Sequence, residues 1–205
     1  MSDQKKVIDA LGGKKGLLDS GLPALVFLIA FNISKDLQLA ATAAVVTALV
    51  LAILRLAKKD TLQHVVSGLI GVVFCAFLAR KTGSPADYFV LGLITNAIYG
   101  SVYLVANLIG FPILGLVLGP ILGENLHWRK VAERKRAYIK AGWLWVGLFS
   151  LRLLVQYPLY KNGNITALGT ARLAMGYPLY AAAAWGSWLI IKKVPAAIPP
   201  EKNKD

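Results

Sequence analysis

Long apolar stretches, separated by short polar or basic segments, follow one another from Leu17 to Ile191. Because a helix rises about 1.5 Å per residue, about 20 apolar residues are enough to cross the hydrocarbon core of a bilayer. The pattern therefore predicts an all-α, polytopic membrane protein whose bundle contains six transmembrane helices. These helices are expected at residues 17–33, 37–57, 61–79, 87–109, 138–157 and 167–191.

A further apolar segment, residues 111–122, lies between the fourth and fifth predicted spans. It has 12 residues, so as a helix it covers only about 18 Å and is too short to cross. Prolines and glycines interrupt it at Pro112, Gly115, Gly119 and Pro120. We expect a re-entrant or interfacial segment, in which Gly115, Gly119 and the following Gly123 allow close helix contact.

The composition agrees with a lipid environment. The chain is 57% hydrophobic and 16% charged, with a mean hydropathy of +0.59, well above that of a soluble domain. A net charge of +13 would indicate nucleic-acid binding in a soluble protein, but here the basic residues cluster between the spans. We therefore expect membrane lipids as partners, and no nucleic acid.

Lysines and arginines indicate the orientation of the predicted helices, because short cytoplasmic loops carry an excess of them. With the N-terminus inside, seventeen of the 23 fall on the cytoplasmic side and four outside, at Lys35, Arg80, Lys81 and Lys161. This predicts a multi-pass protein of the cell (cytoplasmic) membrane with both termini in the cytoplasm. Its parts are a cytoplasmic segment at 1–16, a membrane domain at 17–193 with a basic cytoplasmic loop at 123–137, and a disordered tail at 194–205.

No grouping of residues for catalysis or metal binding is apparent in the sequence. Cys75 is the only cysteine, so one chain can form neither an internal disulfide nor a thiolate metal cluster. The pairs Asp60 with His64 and Glu124 with His127 lack the further ligands that a metal site requires. We therefore expect no enzyme activity, no catalytic residue, no metal and no cofactor.

Two arginines lie within predicted spans, Arg152 in the fifth and Arg172 in the sixth. A charge inside a bilayer costs about 2.5–3.5 kcal/mol even on the lenient insertion scale, so each must be compensated. Because the two helices form a hairpin, both arginines should lie near one another in the outer half of the membrane. Asp36 and Asp87 are the candidate counter-charges on that side. Ion pairing or snorkelling is one interpretation, and binding of an anion such as a phosphate, lipid head group or carboxylate is the other.

Other polar and helix-breaking residues bear on the same question. A stripe of small and polar residues on the fourth span, which fits a helix-packing face or the lining of a water-filled pathway, contains Gly92, Asn96, Tyr99, Gly100, Tyr103 and Asn107. Pro178 should kink the sixth helix and free backbone carbonyls, as in transporters, although prolines also occur in ordinary membrane helices. The candidate ligand-binding residues are Arg152, Arg172, Asn96, Tyr99, Tyr103 and Asn107.

Four segments extend across most of the membrane region: GLLDSGLP at 16–23, TLQHVVSGLIGV at 61–72, QYPLY at 156–160 and ALGTARLAMG at 167–176. In overall pattern they resemble an actinobacterial family of uncharacterised integral membrane proteins, known as a domain of unknown function. The resemblance implies a six-span protein of the cytoplasmic membrane without an established activity. It identifies no catalytic or binding residues.

Two classes of function stay open at this point. A transport or permeation protein for a small, anionic solute is favoured by the two intramembrane arginines, Pro178, the polar stripe and the short segment 111–122. A non-catalytic envelope scaffold or assembly factor is favoured by the small-residue packing faces. A lipid-head-group-binding protein is a further alternative, because arginines grip phosphate groups. A homo-oligomer is compatible with each of them.

Overall fold

The computed structural model describes residues 13–58 and 62–197, and within these ranges all regular secondary structure is helical. The α-helices, in chain order, are α1 Gly13–Ser34, α2 Leu37–Ala57, α3 Leu62–Thr82, α4 Val90–Leu108, α5 Ile113–Ile121, α6 Ala132–Lys161, α7 Ile165–Ala174 and α8 Tyr177–Ile191. A 3-10 helix, Pro85–Phe89, precedes α4, and another, His127–Arg129, precedes α6.

The described residues confirm the all-helical class, and their long apolar helices are typical of a membrane protein. Among the described residues, four segments are long and apolar enough to cross a membrane: Leu37–Ala57, Val65–Thr82, Pro85–Leu108 and Ala132–Lys161. They coincide with the second to fifth predicted spans. α1 has 22 residues and includes the first predicted span, whereas the sixth is divided between α7 and α8.

The predicted sixth span is broken rather than kinked. α7 ends at Ala174 and α8 begins at Tyr177, and Gly176 between them has φ −74° and ψ −109°, outside the helical region. Pro178 has no N–H, and its ring clashes with the carbonyl four residues earlier in a continuous helix. In the first turn of a helix a proline neither removes an intrahelical hydrogen bond nor meets a preceding helical carbonyl, and Pro178 lies in the first turn of α8.

Other boundaries differ from the predicted ones by a turn or more. α1 begins at Gly13, so the predicted cytoplasmic segment 1–16 ends in helix. α6 begins at Ala132 rather than at residue 138, so the last part of the predicted loop 123–137 is helical. Residues 1–12, 59–61 and 198–205, which include Asp60 and most of the predicted tail, lie outside the described residues.

The chain divides into two compact units, Met1–Ile94 with Leu154–Ala174 and Thr95–Leu153 with Met175–Asp205. In the first unit, α2 contacts both α1 and α3 through a buried face of small residues: Ala40, Ala41, Ala44, Ala48 and Ala52. Small side chains allow helix backbones to approach closely. Phe27 of α1 stacks on Tyr88 with 3.9 Å between ring centroids, which joins α1 to the segment before α4.

The second unit has a core around Trp128, whose side chain is fully buried. A Cβ at Gly115 would lie 2.8 Å from the Trp128 ring, and a Cβ at Gly119 would overlap the carbonyl oxygen of Asn125. The predicted close packing through Gly115 and Gly119 is confirmed, with the segment that follows α5 as the partner. Gly123 has a different role from Gly115 and Gly119. Its φ of +75° makes it the left-handed residue that follows the C-cap of α5.

Candidate functional site

The predicted ligand-binding residues divide between the two units. Arg172 belongs to the first unit, and the second contains Arg152, Asn96, Tyr99, Tyr103 and Asn107. Each arginine is therefore described within its own unit. The predicted approach of Arg152 to Arg172 stays a prediction.

Arg172 is half-buried and lies against the start of α4. Its Nη1 donates a hydrogen bond to the carbonyl oxygen of Phe89 over 3.3 Å, and its Cζ lies 5.6 Å from the centroid of the Phe89 ring. The guanidinium occupies the space beside Gly92, where an added Cβ would overlap it. The first residue of the predicted polar stripe thus makes room for an arginine.

The two acids predicted to neutralise the arginines have other partners. Asp36 Oδ1 accepts hydrogen bonds from the backbone N–H groups of Gln38 at 2.7 Å and Leu39 at 3.3 Å, which makes it the N-cap of α2. Asp87 Oδ1 accepts a 2.6 Å hydrogen bond from the hydroxyl of Tyr160. In both acids these contacts involve Oδ1.

Arg152 is buried, with 7% of its surface exposed, and lies at the break between α7 and α8. Its Nη1 donates to the carbonyl oxygen of Met175 over 3.2 Å, and its Cζ lies 5.1 Å from the centroid of the Tyr180 ring. Its Nε is buried without a hydrogen-bond partner. Within the described residues no carboxylate forms a salt bridge with Arg152. A backbone carbonyl and an aromatic face therefore compensate its charge only in part.

Aromatic rings continue from Tyr180 across the same unit. The Tyr180 ring centroid lies 6.2 Å from that of Phe149 and 6.1 Å from that of Trp145. Two predicted site residues join this aromatic cluster, because Tyr99 stacks on Phe149 and Tyr103 on Trp145, each at 5.7 Å. The cluster consists of Tyr99, Tyr103, Trp145, Phe149 and Tyr180, and Arg152 lies against the Tyr180 end of it.

The two asparagines of the stripe differ in their contacts. Asn107 Nδ2 donates to the carbonyl oxygen of Ile139 over 3.2 Å, and the amide lies where a Cβ of Gly142 would be. Asn107 and Tyr103 thus pack against α6, which fits the helix-packing interpretation of the stripe. Asn96 is 3% exposed, and its Nδ2 has no hydrogen-bond partner. It is a buried donor without an acceptor within the described chain.

The family model described as "Protein of unknown function (DUF3159)" matches residues 11–198. The chain belongs to this family. Its match covers most of both units and every candidate site residue, which confirms the resemblance to a domain of unknown function. Comparison with curated proteins and with solved structures finds no match. The DUF3159 description names no activity.

The DUF3159 chain also contains a buried ion pair that the pattern of charges does not predict. Glu124 is fully buried and Arg134 is 3% exposed. Arg134 Nε donates to Glu124 Oε2 over 3.1 Å and Nη2 donates to Glu124 Oε1, while the Tyr138 hydroxyl donates to Oε2 over 3.1 Å. Arg134 Nη1 donates to the carbonyl oxygens of Ile191 and Val194, each over 2.7 Å. The pair therefore ties the start of α6 to the end of α8.

The sequence alone identifies neither the Glu124–Arg134 ion pair nor the complete aromatic cluster. By sequence, Arg134 is one of several basic residues between two predicted spans, and the neighbour that Glu124 suggests is His127. For the aromatic cluster a signal was present, because Trp145, Phe149 and Arg152 follow helical spacing on one face of α6. Their partner Tyr180 lies on another helix, and no spacing within α6 identifies it.

Proposed function

We propose that this DUF3159 protein is a transport or permeation protein of the cell membrane for a small anion, and that Arg152 is its anion-binding group. The observation that carries the proposal is a buried arginine with an unpartnered Nε and no carboxylate partner in the described chain. Intramembrane charges of this kind mark substrate or ion pathways in membrane proteins.

The proposed topology has six crossings and both termini in the cytoplasm. α1, α2, α3, α4 and α6 each cross once, and α7 with α8 together make the sixth crossing. The distribution of lysines and arginines supports this orientation. α5, with 9 residues, covers about 13 Å as a helix and enters or lies on the inner leaflet. In this arrangement the break between α7 and α8 falls within the membrane.

The guanidinium of Arg152 has donors left for a ligand. A guanidinium carries five N–H donors in a fixed planar fork and cannot lose its charge. One Nη1 bond goes to Met175, and the buried Nε has no acceptor. A small anion on the Nε edge would accept from it and supply the missing negative charge. In a water-poor site such a charge-assisted hydrogen bond contributes about 1.5–3 kcal/mol.

The helix break beside Arg152 adds a second feature that favours an anion, the N-terminus of α8. α8 begins at Tyr177, and the N-terminus of a helix carries a partial positive charge from N–H groups without intrahelical acceptors. Discontinuous helices of transporters use their half-helix N-termini to hold anionic substrate groups. Because Arg152 binds the carbonyl of Met175, two residues before α8, its charge lies close to this N-terminus.

Anion flux into liposomes tests the proposal. The purified full chain is reconstituted, and the uptake of chloride, nitrate, formate and phosphate is measured for wild type and for Arg152→Gln. Loss of a charge-assisted hydrogen bond should reduce flux of the preferred anion about tenfold or more. Arg136→Gln is the matched control, since Arg136 is an exposed arginine of the same helix, and it should keep wild-type flux.

Two results would retire the proposal. Equal flux in wild type and Arg152→Gln would exclude Arg152 as the binding group. Wild-type liposomes that pass none of the four anions faster than protein-free liposomes would favour the scaffold alternative.

A further inference from the structure

A basic recess lies in the second unit, on the segment that joins α5 to α6. Its volume is about 380 Å³, and its lining residues are Leu126, Arg129, Lys130 and Lys135. Three of the four carry a positive charge, and the fourth is apolar. The volume falls within the range of small-ligand sites. None of these residues takes part in the proposed anion site around Arg152.

Two of the three cations are held in place by the turn that follows α4. Arg129 places its Cζ 4.6 Å from the centroid of the Phe111 ring. The Lys135 Nζ lies 3.2 Å from the position that a Cβ of Gly110 would take. Gly110 has a φ of +70°, a conformation that favours glycine and leaves room for the lysine chain. Arg129 and Lys135 are therefore positioned by contacts with residues 110 and 111.

The backbone beneath the recess is fixed by buried contacts. Trp128, next to Arg129, is fully buried against Gly115 and Gly119. Glu124 is also fully buried, and its carboxylate accepts hydrogen bonds from Arg134 and Tyr138. The Glu124 carboxylate is thus directed away from the recess. Glu133, an exposed acid in the first turn of α6, is not among the lining residues, so the lining itself is basic.

Exposed apolar side chains accompany the recess. Leu126, within the lining, is 51% exposed, and nearby along the chain Ile121 is 37%, Val117 52% and Val131 41% exposed. Cations beside exposed aliphatic side chains are typical of the membrane interface, where the charges meet lipid phosphates and the aliphatic groups meet acyl chains. On the proposed topology, this segment faces the cytoplasmic leaflet, which carries anionic lipids.

We propose that this recess binds the phosphate of an anionic lipid head group. Arg129 supplies a planar fork for two phosphate oxygens, whereas Lys130 and Lys135 act as point charges. Leu126 lies against the first carbons of the lipid. Each basic residue near an anionic membrane surface contributes about fivefold in affinity, so the three together contribute about a hundredfold.

Binding of short-chain lipids to the full chain in neutral detergent tests the inference. Native mass spectrometry measures the dissociation constants of dioctanoyl phosphatidylglycerol, dioctanoyl phosphatidylcholine and inorganic phosphate. Wild type should bind the phosphatidylglycerol at least tenfold more tightly than either of the others. The variant Arg129→Gln/Lys130→Gln/Lys135→Gln should lose about a hundredfold in this affinity.

A variant with the same loss of charge is the control. Arg136, Lys140 and Lys193 are exposed and lie outside the lining, so Arg136→Gln/Lys140→Gln/Lys193→Gln should lose no more than about fivefold. Arg129→Lys keeps the charge and the fold but removes the fork, and it should lose part of the affinity. Equal losses in the recess and control variants, or equal binding of the two lipids, would overturn the proposal. So would phosphate that binds as tightly as phosphatidylglycerol, because the recess would then be a site for the free ion.

Discussion

Arg134 and Glu124 form a buried ion pair in which the arginine also donates to the carbonyl oxygens of Ile191 and Val194. Those carbonyls lie at the end of α8, where the last carbonyl groups of a helix have no intrahelical donor. One guanidinium therefore satisfies a buried acid and completes a helix terminus. Arg134 therefore links the end of α8 to the start of α6, where Tyr138 and Ile191 also belong to one buried cluster.

Removal of the acid should destabilise the second unit strongly. Glu124→Ala leaves the Arg134 charge buried without its partner, which typically costs about 3–5 kcal/mol. Thermal unfolding of the purified protein in detergent measures the loss, and Glu133→Ala, at an exposed acid in the first turn of α6, is the control. The double variant Glu124→Met/Arg134→Met should be more stable than Glu124→Ala, because no unpaired charge stays behind. A Glu124→Ala midpoint equal to that of Glu133→Ala would contradict this account.

Close packing of α5 predicts an order of effects among glycine replacements. At Gly119 a Cβ meets the backbone oxygen of Asn125, whereas at Gly115 it meets the Trp128 side chain at 2.8 Å. A backbone atom yields less readily than a ring, so Gly119→Ala should cost more than Gly115→Ala, each about 1–3 kcal/mol. Gly147→Ala in α6 meets nothing within 4 Å and should be neutral or stabilising. Equal melting temperatures for all three variants would argue against the packing.

The contact between Gly92 and Arg172 can be measured by a double-mutant cycle. Gly92→Ala places a methyl group where the guanidinium lies, so it should destabilise the protein. In an Arg172→Ala background the same replacement should cost much less, because the space is then empty. Gly68→Ala, where a Cβ meets nothing within 4 Å, should behave alike in both backgrounds. A coupling energy of zero between Gly92 and Arg172 would refute the contact.

The proposed topology predicts which loops are accessible from outside the cell. In a variant without Cys75, single cysteines introduced at Lys35, Lys81 and Lys161 should react with a membrane-impermeant maleimide in intact cells. A cysteine at Lys130 should react only after the cells are opened. Labelling of position 130 in intact cells would contradict the orientation inferred from the lysine and arginine distribution.

The positions of the helices are largely predictable from this sequence, whereas the side-chain contacts between helices are not. Residues 37–57 are predominantly apolar and α2 has those bounds, because a run of about 20 mostly apolar residues predicts a membrane helix. Pro178 indicates a disturbance, but whether a helix bends or breaks depends on what satisfies the carbonyls left free. Here Arg152, from another helix, binds the carbonyl of Met175. The sequence pattern does not contain that contact.

The start of α6 shows why a charged segment can be predicted as an exposed loop although it is helical and partly buried. Arg134, Lys135 and Arg136 are typical of a cytoplasmic loop, yet they lie in helix from Ala132 onward. Arg134 is buried because Glu124, ten residues earlier, neutralises it, and hydropathy treats both residues as polar. Likewise, the sequence makes Asp36 a candidate counter-charge for an arginine, whereas its role as the cap of its own helix follows from backbone N–H groups two and three residues ahead, which are always within reach.

The central claim is that Arg152 binds the transported anion, and the concentration dependence of flux tests it most directly. In liposomes containing wild type or Arg152→Lys, initial rates are measured against the concentration of nitrate, a planar anion that can accept two parallel hydrogen bonds. Lysine keeps the charge but loses the fork, so we predict that the half-saturating nitrate concentration rises about tenfold, equivalent to the loss of one charge-assisted hydrogen bond. An unchanged half-saturating concentration with an unchanged maximal rate would show that the anion does not contact Arg152.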